Sequence, residues 1–192
     1  MRKFFMTSMA FAAIMSAMTF TSCSDDETGG GGSALKGTEL NGVVEGTLTL
    51  NAGTEYTLTG TLTVPAGATL EIPAGTTIKA NQGFDKYILV AQGGRINARG
   101  TATSPVVFTA NSDNAEPGYW GGLIINGYAP ISGANSGTVG ATEIDNNQPY
   151  GGTDADDNSG TLTYVEIHYS GARSSADIEH NGLTLNAVGR GT

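Results

Sequence analysis

The chain contains a single cysteine, Cys23, among its 192 residues. A disulfide bond within one chain needs two cysteines, so no such bond stabilises the folded protein. The free energy of folding must therefore come from non-covalent interactions.

Basic residues are also scarce, because nine Lys and Arg stand against eighteen Asp and Glu, a formal net charge of −9. A surface with this charge repels phosphate groups, which argues against nucleic acid as a partner. It also repels anionic lipid headgroups, so attachment to a membrane would require a covalent lipid.

Helical periodicity is absent too, since after residue 34 no stretch repeats apolar residues at helical spacing over three turns. Instead, 29 glycines accompany short runs that alternate Thr with aliphatic residues, which is typical of turn-rich β structure. Ten strands are predicted, at residues 47–50, 61–64, 69–72, 76–80, 87–91, 95–98, 106–110, 122–126, 162–169 and 183–185.

The first 22 residues have the layout of an export signal. Arg2 and Lys3 precede an apolar stretch, residues 4–20, and small residues lead to Cys23. The stretch is at the short limit for a membrane-spanning helix and carries Ser and Thr, so cleavage is favoured over spanning. With a cysteine at the break, the segment resembles a bacterial lipoprotein signal, which implies that Cys23 becomes the acylated first residue.

Residues 23–34 are predicted to be a flexible tether, because an acidic run at 24–27 is followed by four glycines at 29–32. A Gly/Ser segment of this length reaches about 18 Å, enough to hold a domain clear of the headgroups. Acidic residues directly after the cysteine resemble the surface-export signal of Bacteroidota lipoproteins. That resemblance implies a lipid-anchored protein on the outer face of the outer membrane, and a solvated linker facing the periplasm is the alternative.

Residues 35–192 contain internal repeats and are predicted to form one domain. GTLTLNAG at 46–53 is echoed by GTLTVPAG at 60–67, and VPAG at 64–67 by IPAG at 72–75. Short strands without helices allow a β-sandwich or a parallel β-solenoid, but steps of eight residues are too short for a sandwich strand with its hairpin. Single asparagines also follow the strands, where a left-handed conformation would turn a corner and side chains would stack. They are Asn81, Asn97, Asn111, Asn126 and Asn186.

In the solenoid the aliphatic side chains are predicted to point inward and stack from coil to coil, whereas Thr, Glu71 and Lys79 point outward. The predicted inward residues are Leu62, Val64, Leu70, Ile72, Ile78, Leu89, Ile96, Val107, Ile124, Val165, Ile167, Leu183 and Leu185.

The series of strands resembles a known architecture. Residues 64–80, 105–110, 120–127, 160–167 and 181–185 together look like the right-handed parallel β-helix of Bacteroidota surface lipoproteins, a pectin-lyase-like fold. Likeness of fold to polysaccharide lyases does not transfer an activity. Because residues 189–192 follow a strand without a polar cap, the chain is also expected to be a truncated part of a longer one.

Residues 111–119 and 129–159 interrupt the strands and are predicted to be loops on one flank, where solenoids build binding faces. In the loop 129–159, side chains with oxygen atoms stand at alternate positions before a glycine, as in a calcium-binding loop. Glu143 and Asp145 would add further oxygen ligands to that site. A solvated acidic loop is the alternative, because the glycine falls one place late. The calcium candidates are Asp154, Asp156, Asp157 and Asn158.

Glu166 and His168 lie two apart on one predicted strand, hence on the same face, within about 7 Å of each other. A carboxylate beside an imidazole is suited to acid–base chemistry on a sugar, so this pair is the catalytic candidate. Surface partners without a catalytic role are the plainer interpretation, and both interpretations apply equally to His180.

Four aromatic residues flank the insertions: Tyr119, Trp120, Tyr128 and Tyr150. Aromatic faces stack on sugar rings, so these residues are candidates for a carbohydrate platform. The alternative is that Trp120 and Tyr128 hold the long loops against the coil. Arg95, Arg99 and Arg173 are scattered and show no pairing with the acidic loop.

The sequence thus predicts a surface lipoprotein whose β-helix is a binding or structural module towards glycans or another surface protein. No cofactor is required in this interpretation, and calcium at the acidic loop is optional. The competing hypothesis is a calcium-dependent polysaccharide lyase or glycosidase-like enzyme, or a remnant of one.

Overall fold

The computed structural model describes residues 33–174 and 178–192. No helix occurs in these residues, so none of them forms a helix that could cross a membrane. Their strands are β1 (Leu35–Lys36), β2 (Glu39–Val43), β3 (Thr47–Thr49), β4 (Glu55–Val64), β5 (Thr69–Pro73), β6 (Thr77–Ala80), β7 (Gly83–Val90), β8 (Arg95–Arg99), β9 (Val106–Ala110), β10 (Trp120–Asn126), β11 (Gly140–Thr142), β12 (Asp145–Tyr150), β13 (Gly160–Thr163), β14 (Val165–Ile167) and β15 (Leu183–Asn186).

Parallel strands from successive turns of the chain stack on three faces. On the first face β6 pairs with the start of β4 and with β9, and β9 pairs with β14. On the second face β7 pairs with the end of β4 and with β10, and β10 pairs with β15. The third face has the order β3, β5, β8, β13. One strand per face in each turn is a parallel β-helix, so the predicted all-β solenoid is confirmed.

The core lies inside the coil, where register places aliphatic side chains in columns. Leu62, Ile88 and Leu123 form one such column, and Leu70 stacks on Ile96 in another. All five side chains are fully buried. Burying each contributes roughly 1.5–3 kcal/mol, so neighbouring coils stabilise one another.

The corners between faces differ from the prediction. Asn111 donates to Asn81 at 2.9 Å and Asn186 donates to Asn126 at 3.0 Å, so two asparagine ladders do form. Asn97, however, lies inside β8. Among the described residues no asparagine has a positive φ, and glycines supply most of the left-handed positions.

Tyrosines bend the last coil. The predicted strand 162–169 is two strands, β13 and β14, because Tyr164 between them has a φ of 46°. Tyr169, beyond β14, has a φ of 58°. A positive φ in a bulky residue is uncommon, and sequence patterns give no warning of it.

Three predicted inward residues point outward. Val107 lies between Val106 and Phe108, which are both fully buried, so alternation turns its half-buried side chain out. Leu89 and Ile124 pair in register on the outer surface of β7 and β10, yet they are only 1% and 3% exposed. A second layer must therefore cover this outer surface.

Leu183 and Leu185 continue the inward columns of Leu123 and Ile125, as predicted. They are nevertheless 40% and 51% exposed, since no further described strand pairs with β15. At the other end, Ser33 forms a bridge with Val43 and Ala34 is buried, although the prediction placed both residues in the tether. The predicted signal, Cys23 and the tether up to residue 32 lie outside the described residues.

Candidate functional site

The insertion at 129–159 supplies the second layer. Part of it forms the antiparallel hairpin β11–β12, and β12 packs against β10. Asn126 joins hairpin and coil, because its fully buried amide donates to the Pro149 carbonyl at 3.0 Å and accepts from Asn186. Gln92 fixes the base of the insertion by donating to the carbonyls of Gly127 and Gly151, both at 2.9 Å.

A cleft of about 270 Å³ lies between the hairpin and the outer surface of β10 and β15. This volume is close to the lower end for small-molecule sites. Carboxylates, amides, hydroxyls, an imidazole and the ring of a tyrosine line it beside apolar side chains. The lining residues are Ile124, Ala141, Thr142, Glu143, Ile144, Tyr150, Glu179, His180, Asn181, Thr184 and Asn186.

His180 and Thr142 are the buried polar residues of this cleft, at 4% and 3% exposure. The ring of His180 packs between Phe84 and Tyr87, with centroid separations of 4.5 and 4.8 Å. Nε2 lies 2.9 Å from the Phe84 carbonyl oxygen, which only accepts, so Nε2 carries the proton of the neutral ring. Nδ1 has no hydrogen-bond partner among the described residues. Burial lowers the pKa of His180, against smaller opposing effects of the Phe84 carbonyl and Glu143.

Gly121 allows the histidine to sit there. A Cβ built at this position would lie 2.7 Å from the Tyr87 Cβ and 3.1 Å from His180 Nδ1. Any other residue would therefore force Tyr87 to shift, and the imidazole would have to move by a few tenths of an ångström.

The cleft is acidic. Glu143 and Glu179 line it, and no Lys or Arg of the described residues does. Glu179 forms an ion pair with Arg173, which lies across a short antiparallel bridge and is not a lining residue. Burial raises the pKa of Tyr87 behind the histidine, so its phenol stays neutral.

In the acidic loop the four calcium candidates have partners within the protein. Asp154 accepts from the Asp156 amide at 3.0 Å, and Asp156 pairs with Arg190 at 2.6 Å. Asp157 is 7% exposed and accepts from the Ser159 hydroxyl at 2.9 Å, whereas Asn158 accepts from the Gly160 amide.

No group of three or more His, Cys, Asp or Glu suited to a metal occurs in residues 33–174 and 178–192. Asp145 caps the Asn147 amide in its own turn, which lowers its pKa, and Glu143 faces the cleft instead. The structure thus gives the acidic loop a structural role, and calcium there stays a prediction.

The catalytic candidates Glu166 and His168 do lie together, with Nε2 and Oε2 3.1 Å apart. Both side chains are about half exposed, on the outer surface of the β14 turn, and neither lines the cleft. An exposed pair is screened by water, and nothing around it excludes solvent from a reaction. Their catalytic role stays a prediction.

The aromatic candidates separate into different environments. Trp120 is fully buried, and its Nε1 donates to the His168 carbonyl at 2.8 Å, so it offers no face to a ligand and is removed from the candidates. Tyr119 is partly buried against the core and Tyr128 is 41% exposed, but neither lines the cleft. Tyr150 alone of the four lines it.

The cleft was not predicted from the sequence, although the sequence contains one pattern that indicates a covered strand. Ile88-Leu89-Val90 and Leu123-Ile124-Ile125 are runs of three aliphatic residues, whereas a strand with one solvated face alternates. Such runs predict burial on both faces. Because the insertion 129–159 follows the second run directly, it was the segment available to cover that strand.

Two other grooves have fewer features of a binding site. One lies at the first coil and is lined by Ser33, Ala34, Leu35, Val43, Glu45, Thr47 and Leu48. The other lies on the third face, where Glu71 accepts from Asn97 at 2.7 Å, next to Arg99. Neither has an inserted wall or a buried polar group without a partner.

Comparison with known proteins agrees with this architecture. Residues 42–192 match the family model described as a pectate-lyase-like β-helix domain. A search of curated proteins found no significant match, and a search of solved structures found none either. The family match covers nearly the whole coil and the inserted hairpin, and the chain therefore belongs to the pectate-lyase-like β-helix family.

Proposed function

We propose that this chain is an exported, lipid-anchored surface protein whose β-helix presents a carbohydrate-binding cleft. The observation that carries the proposal is the inserted hairpin β11–β12, which builds a walled cleft on the outer surface of β10 and β15. A rigid coil with one inserted wall is a scaffold for recognition, since the site is fixed before the ligand arrives.

The lining chemistry suits a sugar. Tyr150, Ile124 and Ile144 offer an apolar surface for the C–H face of a ring. Glu143, Glu179 and the amides of Asn181 and Asn186 offer acceptors and donors for hydroxyl groups. Polar side chains outnumber apolar ones in this lining, which suits a ligand rich in hydroxyl groups.

A glycan array probed with the purified full chain tests the binding proposal. Thr184→Tyr places a large side chain in the cleft and is expected to abolish the array signal. Thr161→Tyr is the matched control, because Thr161 pairs with Asn97 on the outer surface of the third face, and it should bind as the wild type does. Equal binding by both variants would place the glycan elsewhere.

The proposed anchor is Cys23, on the strength of the basic, apolar and acidic segments around it. Metabolic labelling with a palmitate analogue should mark the wild type and leave Cys23→Ala unlabelled. Protease treatment of intact cells should remove the domain if it is displayed on the outer face of the outer membrane. Equal labelling of the two chains would refute the anchor without affecting the cleft.

A further inference from the structure

We propose that the cleft selects uncharged sugars over uronic acids, and that Glu143 is a determinant of this choice. The inference rests on the proposed function, because it names the class of glycan that the same cleft takes. It starts from the charges that line the cleft and from the positions of the nearest described cations.

Both charged lining residues are acidic. Glu143 is an exposed residue in the turn between β11 and β12, and Glu179 directly precedes His180 in the chain. A carboxylate accepts hydrogen bonds from sugar hydroxyls without any change in its own charge. The sugar carboxylate of a uronic acid would instead meet groups of like charge.

Three described cations are each paired with a carboxylate, and one of these carboxylates, Glu179, belongs to the cleft. Arg173 pairs with Glu179, and Lys86 pairs with Asp85, which lowers the pKa of that carboxyl. Arg190 pairs with Asp156 in the acidic loop. None of the three lines the cleft, so none is placed to bind a sugar carboxylate.

The imidazole of His180 adds no positive charge. Nε2 donates to the Phe84 carbonyl, and the ring lies between Phe84 and Tyr87, so a second proton on Nδ1 would have no acceptor among the described residues. Burial therefore keeps the ring neutral near pH 7. The histidine in the lining is therefore polar and uncharged, and the charge of the lining comes from its glutamates.

The size of the effect follows from Coulomb's law. Two like charges about 6 Å apart in a water-like medium weaken binding by about threefold for each pair, and by more where water is excluded. Arg173 compensates the charge of Glu179, so Glu143 is the lining carboxylate without a described cation, and it predicts about a threefold preference for the neutral sugar. Added salt should reduce that preference, because Glu143 is exposed.

A matched pair of ligands tests the inference: the α-1,4-linked galacturonate tetramer and its carboxyl-reduced neutral form, which differ only at C6. Calorimetric titration of the full chain at low ionic strength gives both affinities. The wild type should bind the neutral tetramer about threefold more tightly. Glu143→Gln should bring the two affinities close to equal. Glu39→Gln, which changes net charge equally on the exposed face of β2, should leave it unchanged.

Three results would overturn the inference: uronate binding at least as tight as neutral binding, no binding of the neutral tetramer, or an unaltered ratio in Glu143→Gln. A different result would show that the proposed function itself is wrong. In that case the Thr184→Tyr protein would still give a signal on the glycan array, whichever tetramer it bound.

Discussion

Removing the buried amide of Asn126 should destabilise the coil and the cleft together. In the Asn126→Ala protein the Pro149 carbonyl loses a 3.0 Å hydrogen bond, and the Asn186 amide loses its acceptor. Asn126 is fully buried, so water does not readily replace these partners. Each unsatisfied buried group costs about 1–3 kcal/mol. Because Pro149 is exposed and Asn186 is half-buried, the two lost bonds predict a loss near the low end of the sum, about 2–3 kcal/mol in the free energy of unfolding.

The matched control is Asn111→Ala, which removes the same amide from the other asparagine ladder. Asn111 is exposed and donates to Asn81 at 2.9 Å, so water substitutes for the lost bond. The expected cost is below about 0.5 kcal/mol.

Urea unfolding followed by tryptophan fluorescence measures both variants. Trp120 is the only tryptophan, is fully buried, and lies on β10, the same strand as Asn126. Its emission therefore reports on the coil that carries the cleft. Equal losses for the two variants would refute the idea that Asn126 joins the hairpin to the coil.

Three further predictions follow from single contacts. Gly160→Ala should lower the free energy of unfolding by more than about 3 kcal/mol or prevent folding. The reason is that the new Cβ would lie 1.9 Å from the Ile96 carbonyl oxygen, at a φ of 125°. Gly133→Ala is the control, because the space around Gly133 is open, and it should lower the melting temperature much less. Because burial lowers the pKa of His180 from its ordinary value of 6.5, the unfolded chain protonates first, so stability is full above pH 6.5 and is lost as pH falls below it. His180→Gln, which still donates to Phe84, should remove that slope from unfolding free energies measured between pH 8 and 5, and an unchanged slope would assign it to other groups. Chelation by EDTA should leave the melting temperature unchanged, because the side chains of the acidic loop are partnered within the protein, and a fall restored by calcium would contradict this.

The coil itself was predictable from sequence because its physics is local. Alternation of Thr with aliphatic residues and repeats of eight and fourteen residues determine which side chains face inward, as at Leu62, Val64 and Leu70. The wrong prediction for Val107 shows the limit of alternation. The strand Val106–Ala110 contains two adjacent valines, and only packing determines which of them points inward.

The cleft was not predictable in the same way, because it depends on contacts between distant segments. The insertion 129–159 lacks an alternating pattern, so its hairpin depends on turn geometry and on Asn126, Gln92 and Ile124 beneath it. His180 gives no sequence signal either. Its burial comes from Phe84 and Tyr87, which lie almost a hundred residues earlier in the chain.

The two histidines of the chain allow the central claim, that the cleft is the glycan site, to be measured directly. His180 lines the cleft, whereas His168 lies exposed on the β14 turn, outside it. In protein labelled with ¹⁵N at histidine, titration with the neutral galactose tetramer should shift the ring signals of His180 to saturation and leave those of His168 in place. Shifts at His168 alone, or at neither ring while the tetramer binds, would contradict the account.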